Sequence, residues 1–365
     1  MDKSVITVKS LFHEYVVDFG GNVVANVETL MKENNVHFIV DSKVYELYKD
    51  KLKFLENGIS LIKIDALEKN KDIETVQKIM LALLRNGISK NDVLIAIGGG
   101  IIQDVSALTA HILMRGIRWF FVPTTLLSMC DSCIGSKCGV NMVGFKNQIG
   151  AFCPPHKVVI DIEFLKSLDN IDILSGIGEI VKVHLISGED DFSSVKNDYG
   201  RLITDTYVLR RYVFRSLEIK KIIAEIDEFD TGYRHILNYG HTFGYALEAY
   251  TDNFIPHGIG VTLGMEIANF ISVEMGYMSK NVFVSISELL RRNIPYDVLD
   301  FSDRDKMSVI LTRDKKYDGQ RLGVILSKGA GRIFEEKVDI DDSLLALIAS
   351  YARHYRPIFG DAICI

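Results

Sequence analysis

A chain of 365 residues that is 48% hydrophobic is long enough for two domains and rich enough in apolar residues for a sizeable core. A formal charge of −6, with no basic stripe, argues against a general nucleic-acid binder, and apolar runs broken by charge or glycine argue against a membrane span. The opening MDKSVITVKS lacks the apolar core of a secretory signal, and five cysteines, four of them between Cys130 and Cys153, do not form a secreted disulfide framework, so a cytoplasmic protein of enzyme size is expected.

In chain order, strand-like and helix-like segments alternate first. Val36 to Val40 (VHFIV) reads as a strand running into Asp41-Ser42, a pair suited to capping a helix or to holding a ribose hydroxyl. Ile59 to Ile64 reads as another strand, and Ile73 to Asn86 as an amphipathic helix. Val93 to Ile97 is a short, β-branched apolar run of the kind buried in parallel sheets. Gly98, Gly99 and Gly100 follow it, ahead of a helical pattern from Ile101 to about Met114. Glycines at a strand-to-helix turn let backbone approach an anion such as a dinucleotide diphosphate, although the spacing departs from Gly-x-Gly-x-x-Gly and a plain structural turn has the same look. Arg118 to Val122, closed by Pro123-Thr124-Thr125, and Lys157 to Asp161 complete the strands. Such alternation predicts an α/β fold, a parallel sheet with helices on its faces.

After about Glu163 helical periodicity dominates: Ile171 to Ser187, Tyr207 to Asp227, Leu237 to Tyr250 and Gly258 to Met275, with Leu322 to Leu326 a short strand-like exception. The pattern divides the chain into residues 1–163 and a mostly helical part, residues 164–365. Glu179 and Lys182, three apart, share a helix face, as do His241 and Tyr245, four apart, while His257 stands just before a helix. One carboxylate and two imidazoles with a position left open is the ligand set of a catalytic zinc. No local His-Glu-x-x-His spacing links them, and a core histidine with an ordinary surface histidine fits the same pattern. Cys130 and Cys133 have Cys-x-x-Cys spacing, but without a second pair the cysteines read as small residues packed around a tight loop.

Taken together, AIGGG with Asp104, RGIRWFFVPTTLL, the DS pair, GSKCGVN, KNQIGAF and VVID, followed by GEIVK, RHILNYGHTFG and HG, appear in the order of the dehydroquinate synthase family, the parent group of the sugar phosphate cyclases. The resemblance covers about Asp41 to Gly331. It implies a Rossmann-like NAD domain followed by a helical metal domain, an active site in the cleft between them, and a homodimer. It implies metal ligands Glu179, His241 and His257 for zinc or cobalt. For NAD it implies Asp41, the Glu68 and Lys71 pair, Gly99, Gly100, Asp104, Thr124, Thr125, Asp131, Lys146 and Asn147. For substrate it implies Asp131, Lys137, Asn147, Lys182, Lys220, Arg234, Asn238 and one of Lys315 and Lys316, with Lys316 preferred. Arg115 resembles the arginine that reaches the substrate phosphate from a partner subunit.

The implied reaction is the shikimate-pathway conversion of 3-deoxy-D-arabino-heptulosonate 7-phosphate to 3-dehydroquinate and phosphate. It proceeds by transient oxidation by NAD, elimination, reduction and intramolecular aldol closure. Departures from the family are Tyr245 in place of a second histidine, Ser136, Phe145 and Gln103 in place of glycines, and Gly-Ile-Gly after His257. Arg234, suited to gripping a carboxylate, favours the acid substrate. The alternatives are a sister cyclase of the 2-epi-5-epi-valiolone, 2-deoxy-scyllo-inosose or amino-dehydroquinate type, a polyol dehydrogenase, and a non-catalytic binding protein.

Overall fold

The structure, a computed structural model, describes residues 5–20, 22–143, 145–296 and 300–354. The chain divides into two compact units, Met1–Asp169 with Val213–Phe229, and Asn170–Tyr212 with Asp230–Ile365. The sequence pattern places one cut near residue 163. The structural partition is discontinuous, because the helix Thr206–Ile226 belongs with the first unit from Val213 onward. Period alone does not reveal this, since one helical pattern runs unbroken through both memberships.

The first unit is built on a seven-stranded sheet. Its strands are β1 (Val5–Lys9), β2 (Glu14–Phe19), β3 (Val36–Asp41), β4 (Ser60–Ile64), β5 (Val93–Gly98) and β6 (Arg118–Pro123). A separate hairpin, β7 (Lys137–Met142) with β8 (Phe145–Phe152), intervenes before the seventh sheet strand, β9 (Lys157–Ile160). The order is β1-β2-β9-β6-β5-β3-β4, parallel throughout except for the β1–β2 pair. β5 is buried at every residue and β3 at all but Asp41. A central parallel strand covered on both faces is the environment that a continuous VLIAI or VHFIV run requires. β1 and β2 escaped the reading by apolar runs; β1 instead alternates, with Ile6 and Val8 buried and Val5 and Lys9 exposed, the half-covered period of two. In the β7–β8 hairpin, β7 alternates as well, with Cys138 and Val140 buried between Lys137, Gly139 and Asn141, whereas β8 buries no residue fully.

In the second unit the helix His257–Glu274 is buried along most of its length. It packs against the helices Asn170–Ser187, His241–Tyr250, Lys280–Arg292 and Asp342–His354 and against β10 (Arg321–Ser327), which pairs antiparallel with β11 (Ile333–Asp339). The predicted helix from Leu237 to Tyr250 is shorter than its period suggests. Tyr233–Asn238 forms a tight 3-10 turn, and Gly240 takes φ +79° before the α-helix starts at His241. A Cβ at Gly240 would stand 2.4 Å from the Val261 carbonyl oxygen, so both its φ and its packing require glycine. The break places His241 in the first turn of its helix. Among the described residues no helix is long and apolar enough to cross a membrane.

Candidate active site

β5 leads through Gly98 and Gly99 into the helix Gly100–Ile112. At Gly99 a Cβ would lie 2.8 Å from the Thr125 methyl, whereas nothing lies within 4 Å of the Cβ position at Gly100. This opening adjoins the helix start, where N–H groups lack intrahelical acceptors. Thr124 is bound to this turn by its N–H to the Gly98 carbonyl at 2.9 Å, and its buried hydroxyl has no hydrogen-bond partner among the described residues. A cradle without a side chain and an unpartnered hydroxyl fit a dinucleotide diphosphate. The Thr125 hydroxyl lies 2.9 Å from that of Ser128. Asp41 caps the helix Ser42–Leu47, its carboxylate accepting from the Lys43 N–H at 2.9 Å. Burial raises its pKa against the lowering effect of the Lys43 and Val44 N–H groups.

Five residues from three segments join in one network. The Lys71 ammonium lies 2.7 Å from Asp104 Oδ2 and donates to Asn147 Oδ1 at 2.8 Å. Asp104 Oδ1 accepts from the Gly139 N–H at 3.1 Å, and Glu68 Oε1 accepts from Asn141 at 2.8 Å. Asn141 Oδ1 in turn accepts from the Asn147 N–H at 3.0 Å, where Asn147 stands at φ +53°. Burial raises the Asp104 pKa, opposed by the charge and hydrogen bond of Lys71. Glu68, Lys71, Asp104 and Asn147 thus come together, and Asn141 is the member that the sequence reading missed. Its signal was its place at the end of the GSKCGVN motif.

Lys220, nearly buried on the helix Thr206–Ile226, pairs with Asp131: its ammonium lies 2.9 Å from Oδ1 and 2.6 Å from the Asp131 carbonyl oxygen. Lys137 opens β7 exposed to solvent, and Lys146 is half-buried on β8. Arg115 is exposed in a turn where Met114, Arg115 and Gly116 all have positive φ, and the Lys90 ammonium binds all three carbonyl oxygens of that turn. Two of the replaced glycines find a local account. Ser136 retains the left-handed backbone, φ +67°, and its hydroxyl donates to the buried Glu228 carboxylate. Gln103 is buried, accepting from the Ser132 hydroxyl and donating to the Ser132 carbonyl oxygen at 2.6 Å. Phe145, by contrast, is 57% exposed and nothing in the structure explains it.

In the helical unit Glu179, His241 and His257 each offer a ligand atom, and these atoms lie within 4.8 Å of one another. They come from three helices brought close by glycine: a Cβ at Gly258 would stand 1.8 Å from the Ser175 carbonyl oxygen. Glu179 is buried with the Lys182 ammonium against its Oε2, and its Oε1 lies 3.4 Å from Nε2 of His257 and 3.7 Å from that of His241. The Nδ1 atoms are otherwise engaged, that of His241 with the Tyr239 carbonyl oxygen at 3.3 Å and that of His257 with Glu248 at 2.8 Å. Two imidazoles presenting Nε2 beside a buried carboxylate oxygen fit a divalent ion.

Burial alone lifts the Glu179 carboxyl, but Lys182 and the two histidines hold it well below the usual carboxylate range. Burial and the Lys182 charge keep His241 well below the ordinary imidazole value, hence neutral with a lone pair available. Burial also pulls His257 down, yet contact with Glu179 and Glu248 prevails and brings it to about 10. Among the protein groups alone His257 thus holds a proton that metal binding must release. Glu248 was missed, although it follows His241 by seven residues and so shares its helix face.

Tyr245 lies against both histidines, stacked on His257 with ring centres 5.5 Å apart and edge-on to His241 at 5.4 Å. Of the two neighbouring lysines, Lys315 is exposed, whereas Lys316 donates to the Thr242 hydroxyl at 2.8 Å and lies 5.8 Å from the Tyr245 ring centre. Burial lowers the Lys316 pKa, opposed chiefly by Asp314. Arg234, 3% exposed, and Asn238 sit on the 3-10 turn that precedes His241. Cys130, Cys133 and Cys138 are buried, and burial pushes the Cys133 and Cys138 thiols up to about 12. Thiols held in that form are poor metal ligands. Among the described residues the group of Glu179 and the two histidines is the one close enough to share an ion.

Residues 61–175 match the family model for the 3-dehydroquinate synthase N-terminal domain, and residues 176–317 match that for the C-terminal domain. A curated 3-dehydroquinate synthase from Pelagibacter ubique is 36% identical over 333 residues, covering 87% of this chain and 90% of that protein. Among solved structures, 2-deoxy-scyllo-inosose synthase complexed with carbaglucose-6-phosphate, NAD+ and Co2+ has a TM-score of 0.84 at 24% identity, covering 96% of this chain and 99% of that one. A 2-epi-5-epi-valiolone synthase from Streptomyces hygroscopicus with NAD+ and Zn2+ bound has a TM-score of 0.81 at 24% identity, covering 93% and 97%. These two likenesses bear on the fold, a Rossmann-like α/β unit with a mostly helical second unit. Matches spanning residues 61–317, together with a relative of 36% identity over most of both chains, are decisive: the chain belongs to the 3-dehydroquinate synthase family.

Proposed function

We propose that this chain converts 3-deoxy-D-arabino-heptulosonate 7-phosphate to 3-dehydroquinate and phosphate, using NAD and one divalent ion, zinc or cobalt. The observation that carries the reading is the convergence of Glu179, His241 and His257 in a unit that also buries Arg234 on the turn leading into His241. Bound there, the ion supplies Lewis acidity toward a substrate oxygen, and NAD supplies a hydride acceptor that ends the cycle unconsumed.

The chain's own groups hold and orient the substrate. Arg234 is suited to a carboxylate, because a guanidinium presents paired donors to two oxygens. Lys137, Lys146, Lys182, Lys220 and Lys316 supply cations for a dianionic phosphate, with Arg115 from a partner subunit and Asn238, Asn147 and Asp131 binding hydroxyls. Gly99, Gly100, Thr124 and Thr125 receive the NAD diphosphate. Asp41 receives a ribose, and Glu68, Lys71, Asp104, Asn147 and Lys146 line the rest of the cofactor. Lys316 Nζ, already donating to Thr242, is placed to hold or pass a proton. Tyr245 bounds the two histidines with a phenol whose reference pKa is near 10, so it orients by hydrogen bonding and does not shuttle protons at neutral pH. We also place the protein in the cytoplasm as a homodimer of the shikimate pathway.

A sister cyclase is the second reading, favoured by Tyr245 stacked on His257 where most of the family carries a histidine. A phosphate-release assay with catalytic NAD and zinc separates them, run on the heptulosonate phosphate, sedoheptulose 7-phosphate and glucose 6-phosphate. Release from the acid alone, abolished by Arg234→Ala, is expected. Release from a neutral sugar phosphate alone, or full turnover by Arg234→Ala, would overturn the assignment. NADH that accumulates with an alcohol substrate would indicate a dehydrogenase.

A further inference from the structure

We propose that Glu248 is a positioning residue for the metal site, fixing the ring orientation and tautomer of His257 and supplying negative charge behind it. This deepens the metal reading above and rests on it. Glu248 is 4% exposed, and its Oε1 lies 2.8 Å from His257 Nδ1. A carboxylate has no proton to give at this contact, so Nδ1–H donates and Nε2 is the atom left to face Glu179 at 3.4 Å. A carboxylate held behind a histidine raises the basicity of the ring nitrogen that binds the ion.

The two histidines differ in this respect. His241 Nδ1 faces a neutral backbone carbonyl, that of Tyr239 at 3.3 Å, whereas His257 Nδ1 faces a charge at a shorter distance. Charge balance points the same way. Glu179 has Lys182 against it, both within 2% exposure, so much of its negative charge is already countered inside the protein. A divalent ion beside them needs a further anion nearby, because uncompensated charge in a buried site is costly. Glu248 is the carboxylate in contact with the ligand set that supplies it.

The chain is also built to bring the two residues together. Glu248 lies on the helix His241–Tyr250, so one helix carries a ligand and braces another. The following turn is closed by the Asn253 N–H donating to the Glu248 carbonyl oxygen at 2.8 Å, with Asp252 and Asn253 at positive φ, and it ends at Pro256 just before His257. The backbone of Glu248 therefore anchors the loop while its side chain fixes the residue at the loop's end.

The test measures metal binding by the full chain without substrate or NAD. Metal-free wild type, Glu248→Gln and Glu248→Ala are titrated with zinc against a chromophoric chelator and with cobalt by its visible absorption. Melting of each metal-free protein is recorded alongside. Glu248→Gln keeps the size of the side chain but not its charge. The expected result is zinc affinity weakened about 10–100-fold in Glu248→Gln and at least as much in Glu248→Ala. Altered cobalt bands are expected too, while the metal-free melting temperature of Glu248→Gln stays near wild type. Unchanged zinc affinity in both variants would overturn the proposal. A loss of affinity matched by a large fall in metal-free melting in both variants would assign Glu248 a merely structural role and also overturn it. Absence of metal binding by the wild type would instead remove the metal reading itself, and this proposal with it.

Discussion

In the amino-terminal unit Glu68, Lys71, Asp104, Asn141 and Asn147 are paired with one another, mostly across distant segments, with one bond inside the β7–β8 hairpin. In the helical unit Glu179, His241 and His257 aim their Nε2 and carboxylate atoms at a common point, with their other nitrogens tied off behind. The first arrangement is a closed network that shapes a surface from polar loops. The second is an open set of ligands held by packed helices whose spacing is set by glycine. A closed network tolerates the loss of one member with a graded effect, since its neighbours can turn to water. An open ligand set fails abruptly, since each ligand is a large share of the binding energy.

Breaking the ligand set should give the largest effect. His241→Ala and His257→Ala are expected to lose the bound metal by elemental analysis and to lower turnover roughly 1,000-fold, in line with several kcal/mol of Lewis-acid stabilisation. Metal content equal to wild type in both variants would sink the ligand assignment. Gly258→Ala tests the packing that brings the ligand helices together. Its Cβ would meet the Ser175 carbonyl oxygen at 1.8 Å, so a loss of about 3 kcal/mol in urea unfolding is expected. A wild-type urea midpoint would mean that the helix contact gives way easily and does not set the ligand spacing. The smallest effect is expected in the closed network. Lys71→Met should weaken NAD about tenfold by fluorescence titration, the worth of one charge-assisted hydrogen bond, with metal content unchanged. A loss of metal in that variant would contradict the separation drawn between the two regions.

The comparison also sorts what could be read from the chain. The β3 and β5 runs announced a parallel sheet because strands covered on both faces must be apolar throughout, and Gly98 to Gly100 marked the turn from β5 into the next helix. Glu179, His241 and His257 were legible as candidates through motif order. Taken without the motifs, their residue types and spacing fitted a core histidine and a surface histidine better than a ligand set. Asn141 and Glu248 were not singled out, because an asparagine in a hairpin or a glutamate on a helix carries no distinguishing period.

Residue order by itself determined the α/β class, the turn at the glycines and the family, because these depend on local period, on backbone freedom and on motifs read along the chain. Tertiary structure decided which ring nitrogen each histidine presents, that Lys316 rather than Lys315 lies against Thr242, and that residues 213–229 join the first unit. Those outcomes depend on contacts between segments far apart in sequence. A hydrogen bond to Tyr239 or Glu248 selects a tautomer only once the fold has brought the partner within reach.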